Sequence, residues 1–195
     1  MKLIPLLSLF AAALALSHPA MAQTPAAPAP GATPAAAKPQ PLSGSDTRTL
    51  LEFADSLQFQ LNMALRINSK FKDGDAGMLT LAGGIRKETT EIWTPMVDMA
   101  QAGGVDGKKI PQSMSKTDVA NVNKLSTIKD EKKWTLAFME HFAKESKKNA
   151  HSAEGGIKTL QDPTLKTWAE KAAALLKSQS EKVDAKYQEL KTAKK

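Results

Sequence analysis

Four residues have side chains that could bind a metal ion together. His141 and Glu145 stand four positions apart, so on a helix both project from the same face. Glu88 and Glu91 supply two further carboxylates from an earlier segment of the chain. Carboxylates and imidazoles are the ligands of di-metal centres inside helical bundles, and such a centre would make the protein a metal store or a metal-dependent oxidoreductase. We favour the alternative interpretation, in which these groups form ion pairs with neighbouring lysines at the surface.

The rest of the sequence contains no pattern typical of an enzyme. It has no Glu-x-x-His pair, which di-metal bundle proteins use, and no cysteine, which excludes thiolate chemistry and Cys-ligated metals. No serine occupies a nucleophile elbow, and the glycine pairs lack the Lys-Ser or Lys-Thr of a phosphate-binding loop. His151 has no partner at a spacing that suggests catalysis. We therefore predict a protein that is not an enzyme and has no catalytic residue, no cofactor and no metal ligand.

The chain from Ser45 onward has the periodicity of amphipathic helices, and these would have to position any site. Apolar residues recur at steps of three and four, and turn signals separate the segments. Ser45 is the predicted first N-cap, and Asp162-Pro163 is typical of the start of the last helix. A short helix is predicted at 117–125, inside a longer connection over residues 105–129. The four predicted long helices span 45–72, 76–102, 130–160 and 162–190.

Four long helices with one apolar stripe each bury those stripes best by packing against one another. The predicted fold class is therefore all-α, as a four-helix bundle. The short links before helices two and four predict two antiparallel hairpins. The longer connection between helices two and three would cross the bundle, as in ferritin-like topologies.

The N-terminus predicts export from the cytoplasm. Lys2 is followed by an uncharged apolar run from Leu3 to Ser17 and by the A-x-A cleavage signal Ala20-Met21-Ala22. We predict cleavage after Ala22 and a periplasmic location, with association to the outer membrane as an option. The following Ala/Pro-rich segment is typical of a semi-rigid linker. The predicted organisation is a signal peptide over 1–22, a linker over 23–44, a bundle domain over 45–191 and a basic tail over 192–195.

The formal net charge of the whole chain is +7, and its basic residues are concentrated in the second half. From Lys108 onward there are 19 lysines against 11 aspartates and glutamates. We predict no nucleic acid partner, because an exported protein rarely meets one and because the lysines alternate with acids as on solvated helix faces. The candidate partners are anionic envelope components or another periplasmic protein, and membrane contact would be peripheral at most. The predicted function is non-enzymatic binding or structural association in the cell envelope, with the ferritin-like metal protein as the alternative.

Three segments of the chain form a recognisable framework: AGGIRKETTEIWTPMVDMAQAGGV, FMEHFAKESKKNAHS and DPTLKTWAEKAAALLKSQSEK. Through them the chain, over about residues 46–190, resembles a family of exported bacterial ferritin-like domains of unknown function. Members of that family are often described as outer membrane proteins. The resemblance implies a ferritin-like helical scaffold.

The resemblance also implies that this chain has lost the family's histidines. Family members typically carry an Asp-His pair in each of the second and third helices and Leu-Pro-x-Leu-x-x-His in the fourth. The implied alignment places those histidines at Thr89, Ser146 and Gln179, and the two aspartates at Glu88 and Glu145. Three neutral polar residues would then face one another in mid-bundle, where they need mutual hydrogen bonds or a buried water.

Overall fold

The computed structural model describes residues 40–71 and 75–193, and this part of the chain is entirely helical. It contains five α-helices and one 3-10 turn at Gly107–Lys109, without a β-strand among the described residues. The predictions for the signal peptide, for most of the linker and for the last two residues of the basic tail lie outside the described residues. The helices are α1 Gly44–Lys70, α2 Ala76–Ala102, α3 Lys116–Leu125, α4 Glu131–Ile157 and α5 Pro163–Thr192.

The helix boundaries follow the capping residues closely, with two corrections. The third long helix, α4, ends at Ile157 and not at residue 160, because the N–H groups of Lys158 and Thr159 bond to carbonyls three residues earlier, those of Gly155 and Gly156. Ser43, not Ser45, is the N-cap of α1: its backbone is extended, and its hydroxyl oxygen accepts the N–H of Asp46 at 3.1 Å. The predicted start at Asp162-Pro163 is confirmed, since the Asp162 carboxylate accepts the N–H of Leu165 at 2.7 Å. Besides the four long helices there is one short helix, α3, which lies inside the predicted connection.

The four long helices pack along one another and bury two core clusters. The first core cluster joins the N-terminal half of α1 to the C-terminal halves of α2 and α4 and to the N-terminal half of α5. The second core cluster joins the opposite halves of the same helices. Therefore α1 is antiparallel to α2, and α4 is antiparallel to α5. The connection between α2 and α4 returns along the helices, because Val105 and Ile110 belong to the first cluster whereas Met114 and Val122 belong to the second.

Small residues allow close approaches at the end that holds the first core cluster. A Cβ atom added to Gly156 would lie 3.1 Å from the methyl group of Thr49, so α4 approaches α1 closely there. A Cβ atom on Gly103 would collide with the side chain of Leu42, whose backbone N–H donates to the Gly103 carbonyl at 3.0 Å. These contacts tie the start of α1 to the ends of α2 and α4.

The outer surface of the described residues is polar. Leu65 is the only large hydrophobic residue there that is exposed, at 42%. None of the helices found in residues 40–71 and 75–193 combines the length and the apolar character that crossing a bilayer requires.

Candidate functional site

One fully buried polar residue from each long helix lies between the two core clusters. These residues, which we call the polar layer, are Gln60 of α1, Thr89 of α2, Ser146 of α4 and Gln179 of α5, each with no exposed surface. In α2, α4 and α5, residues of one core cluster precede the layer and residues of the other follow it, and in α1 the change of cluster falls between Leu57 and Phe59, next to Gln60. Its members are the only polar residues of the described chain with no exposed surface, and they lie at a single level between the clusters.

The polar layer consists of two hydrogen-bonded pairs. The Nε2 amide of Gln60 donates to the Ser146 hydroxyl at 2.9 Å, which joins α1 to α4. The Nε2 amide of Gln179 donates to the Thr89 hydroxyl at 3.2 Å, which joins α5 to α2. The same amide also lies 3.5 Å from the carbonyl of Ile85.

Both glutamines leave their carbonyl oxygens unsatisfied. The Oε1 atoms of Gln60 and Gln179 are buried and have no hydrogen-bond partner in the described part of the chain. An unpaired buried acceptor costs about 1–3 kcal/mol, so the layer reduces stability unless something else satisfies these atoms. The observation singles out the layer as the part of the core that packing alone does not explain.

The structure places Thr89, Ser146 and Gln179 in the interior at one level, but Ser146 bonds to Gln60, a residue that the sequence analysis missed. A signal for Gln60 was present. The apolar spacing of α1 runs through Phe53, Leu57, Gln60 and Ala64 in steps of four, three and four, so Gln60 occupies a core position.

The four candidate metal ligands lie in different surroundings. Glu88 is half-buried at the rim of the polar layer, where Oε1 accepts from the ammonium of Lys182 at 2.7 Å and Oε2 lies 3.4 Å from Nε2 of Gln179. Glu91 is exposed on the outer face of α2, beside an open surface depression.

The other two candidates lie on α4. The ring of His141 packs edge-on against Phe59 with centroids 6.2 Å apart, and its Nε2 atom is buried without a partner among the described residues. Glu145 forms an ion pair with Lys148 at 3.5 Å.

These positions do not fit a carboxylate-bridged metal centre. Within residues 40–71 and 75–193, no three histidine, aspartate or glutamate side chains converge in a way that could hold a metal ion. The inward polar groups between the helices are amides and hydroxyls, whereas di-metal sites use carboxylates and imidazoles. The predicted ion pairs with lysines are found for Glu88 and Glu145, although the partner of Glu88 is Lys182, from α5.

A second polar cluster closes the end of the helices that holds the second core cluster. Lys186 of α5 has a side chain only 11% exposed and lies 3.3 Å from Asp75, the N-cap of α2, and 2.9 Å from Glu189. Burial alone would raise the pKa of Asp75, but hydrogen bonds from the N–H of Met78 and from Lys186, with the charge of Lys186, lower it overall. Likewise, burial opposes the charge of Lys186, but its two carboxylate partners raise its pKa. The cluster is an ion-paired helix cap.

Comparison with known proteins identifies a family. A family model described as Domain of unknown function (DUF4142) matches residues 31–185, which include all four positions of the polar layer. No curated protein and no solved structure matches the chain significantly. Since the family model covers well over half of the sequence, the protein belongs to the DUF4142 family, a domain of unknown function.

Proposed function

We propose that the protein is exported to the bacterial periplasm and acts there by non-enzymatic binding or structural association. Its four long helices would form a ferritin-like four-helix bundle in which the usual metal ligands have been replaced. The location follows from the predicted signal peptide over 1–22. The family match supports membership in a domain family without an assigned role.

The observation that carries the proposal is the chemistry of the polar layer. Its members are two amides and two hydroxyls, all fully buried, that hydrogen-bond in pairs across the helices. Such groups are neutral at every accessible pH and are weak ligands for transition metals, so they support neither proton transfer nor metal catalysis. In the alignment implied by the family resemblance, three of these four positions are those of the family's histidines.

Metal content tests the non-enzymatic proposal directly. The exported form, residues 23–195, is incubated with iron, zinc or manganese salts, dialysed and measured by elemental analysis. We expect far less than one metal ion per chain. A stoichiometric metal ion that survives dialysis would overturn the proposal and restore the metal-protein alternative.

A matched variant tests the ferritin-like relationship. Thr89→His, Ser146→His and Gln179→His together restore the histidines that the family alignment implies. If the variant folds, as judged by circular dichroism, we expect it to take up metal where the unmodified protein does not. A folded triple variant that takes up no metal contradicts the implied alignment.

Export is tested separately. Protein from the periplasmic fraction of cells expressing the full chain is expected to have Gln23 as its first residue by mass spectrometry. A substitution of Ala22 by a bulky charged residue should block this processing. An unprocessed chain that stays in the cytoplasm would refute the proposed location.

A further inference from the structure

The outer face of α4, continued by its C-cap Lys158, carries five exposed lysines in one stripe, which we call the α4 lysine face. At 100° per residue they lie within a sector of about 100°, and between them they span roughly 38 Å of helix. This sector lies opposite the buried side of α4, which includes Phe142 and Ser146. The five residues are Lys133, Lys144, Lys147, Lys148 and Lys158.

Few carboxylates compensate this charge. Glu140 is the only acidic residue of α4 within the sector, and the N-cap Asp130, whose carboxylate accepts the N–H of Lys133 at 2.8 Å, lies at its edge. Glu145, at one edge, pairs with Lys148 at 3.5 Å, and Glu154, at the other edge, pairs with Lys177 of α5 at 3.7 Å. The other four lysines of the face form no ion pair with any described residue. They are therefore free to engage an external anion.

The face has no apolar anchor. Between the lysines its surface is made by Glu140, the exposed His151 and small residues such as Ala137 and Gly155, and a Cβ atom on Gly155 would meet nothing within 4 Å. Contact must therefore be made by ammonium groups on flexible stems, without insertion of large side chains. Lysine acts as a point charge, in contrast to the bidentate fork of arginine, so the face suits a diffuse anionic surface better than a single phosphate.

The neighbouring helix shows that this asymmetry is not general. On the outer surface of α5, lysines alternate with acids, as Lys166, Glu170, Lys171 and Glu181 illustrate. Such mixed surfaces produce little net field at a distance greater than the Debye length, about 8–10 Å at physiological salt. The α4 stripe instead carries five lysines, with Glu140 the only acid of the helix among them.

We propose that the α4 lysine face binds the surface of a membrane that contains anionic phospholipid. A flat anionic surface can engage the lysines of this outward helix face together, including the four that form no ion pair with any described residue. Each lysine near such a surface increases the partition coefficient by a factor of about five. The proposal rests on the envelope role proposed above and names its partner, but the binding itself depends neither on export nor on metal content.

Vesicle co-sedimentation tests the binding. The exported form, residues 23–195, is mixed with vesicles of phosphatidylcholine alone or with about one-third phosphatidylglycerol. We expect binding to the mixed vesicles at about 50 mM salt and its loss at about 500 mM, because salt screens exposed charges. Failure to bind the anionic vesicles at low salt overturns the proposal, whatever the metal and export tests show. Binding that resists salt also overturns it, because it would indicate apolar insertion.

Two variants of equal net charge locate the binding surface. The first is Lys144→Gln, Lys147→Gln and Lys158→Gln, and the control is Lys87→Gln, Lys166→Gln and Lys171→Gln, which removes three exposed lysines from α2 and α5. We expect the partition coefficient to fall by roughly 100-fold in the first variant and by much less in the control. Equal losses would overturn the assignment to α4. Binding of soluble polyphosphate without vesicle binding would overturn the membrane in favour of a soluble polyanion.

Discussion

Replacing a glutamine of the polar layer by methionine, which has a similar length and volume, is expected to stabilise the protein. Gln179→Met removes an Oε1 atom that is buried without a partner, which relieves about 1–3 kcal/mol. It also removes the hydrogen bond to Thr89, worth about 1 kcal/mol. Thr89 keeps an acceptor, because a helical threonine can donate to the carbonyl four residues earlier. We expect a net gain of about 1 kcal/mol, which raises the melting temperature by roughly 2–4 °C.

Removing the partner instead should have the opposite effect. In Thr89→Val, the Nε2 amide of Gln179 keeps only the carbonyl of Ile85 at 3.5 Å and the carboxylate of Glu88 at 3.4 Å. These contacts are long, so a buried donor is poorly satisfied and we expect a loss of about 1–2 kcal/mol. Combining Thr89→Val with Gln179→Met removes both partners. The double variant should therefore be more stable than the sum of the single effects predicts, by more than about 0.5 kcal/mol.

Urea unfolding measures these differences. Circular dichroism and tryptophan fluorescence should report one transition with an unchanged dependence on urea, so that midpoint shifts can be converted into free energies of unfolding. Gln101→Met, at an exposed position of α2, is the matched control and should change stability by less than about 0.5 kcal/mol. If Gln179→Met is destabilised by about 1 kcal/mol or more, the Oε1 atom is satisfied in the folded protein and the reasoning is refuted.

Two further predictions concern the ends of the helices. Gly155→Ala should stabilise α4 by about 0.5–1 kcal/mol. Gly156→Ala should give no such gain, because its Cβ atom would lie 3.1 Å from the methyl group of Thr49. Equal melting temperatures of the two variants would contradict this prediction. Asp75→Asn keeps the N-cap of α2 but loses the ion pair with Lys186. The free energy of unfolding at pH 7 should therefore fall by about 0.5 kcal/mol, a small value because solvent screens the partly exposed carboxylate. The pKa of Asp75 is lowered from 3.8, so wild type holds its advantage above about pH 4 and loses it as the pH falls through the lowered pKa. A stability difference that is the same at pH 7 and at pH 2.5 would disprove this assignment, so urea titrations at both values provide the check.

The helices could be predicted from the sequence because their signals are local. The structure gives α2 the predicted limits, Ala76–Ala102, although the helix contains Gly83-Gly84 and Pro95. Asp75 caps its start and Gly103 follows its end, so the boundaries depend on residues within a few positions of each terminus. Burial of the apolar stripe outweighs the unfavourable helix propensity of the interior residues.

The partners within the site could not be predicted, because they depend on the register between helices. Glu88 meets Lys182 although the two are 94 residues apart, and no local pattern indicates this pairing. Gln60 was missed for a related reason: a polar residue at a core position is recognised only when a polar residue on another helix lies at the same level. Ser146 supplies that partner, and its level depends on how α1 and α4 slide past each other.

The polar layer links the first pair of long helices to the second. Residues 71–75 separate α1 from α2 and residues 158–162 separate α4 from α5, so the long helices form two antiparallel hairpins. The hydrogen bond of Gln60 to Ser146 joins α1 to α4, and that of Gln179 to Thr89 joins α2 to α5, so each bond runs from one hairpin to the other. Apolar stripes with repeated spacing can pack in several registers, whereas each of these two hydrogen bonds can form in only one. The unsatisfied carbonyls are therefore a cost in stability that accompanies a single alignment of the two hairpins.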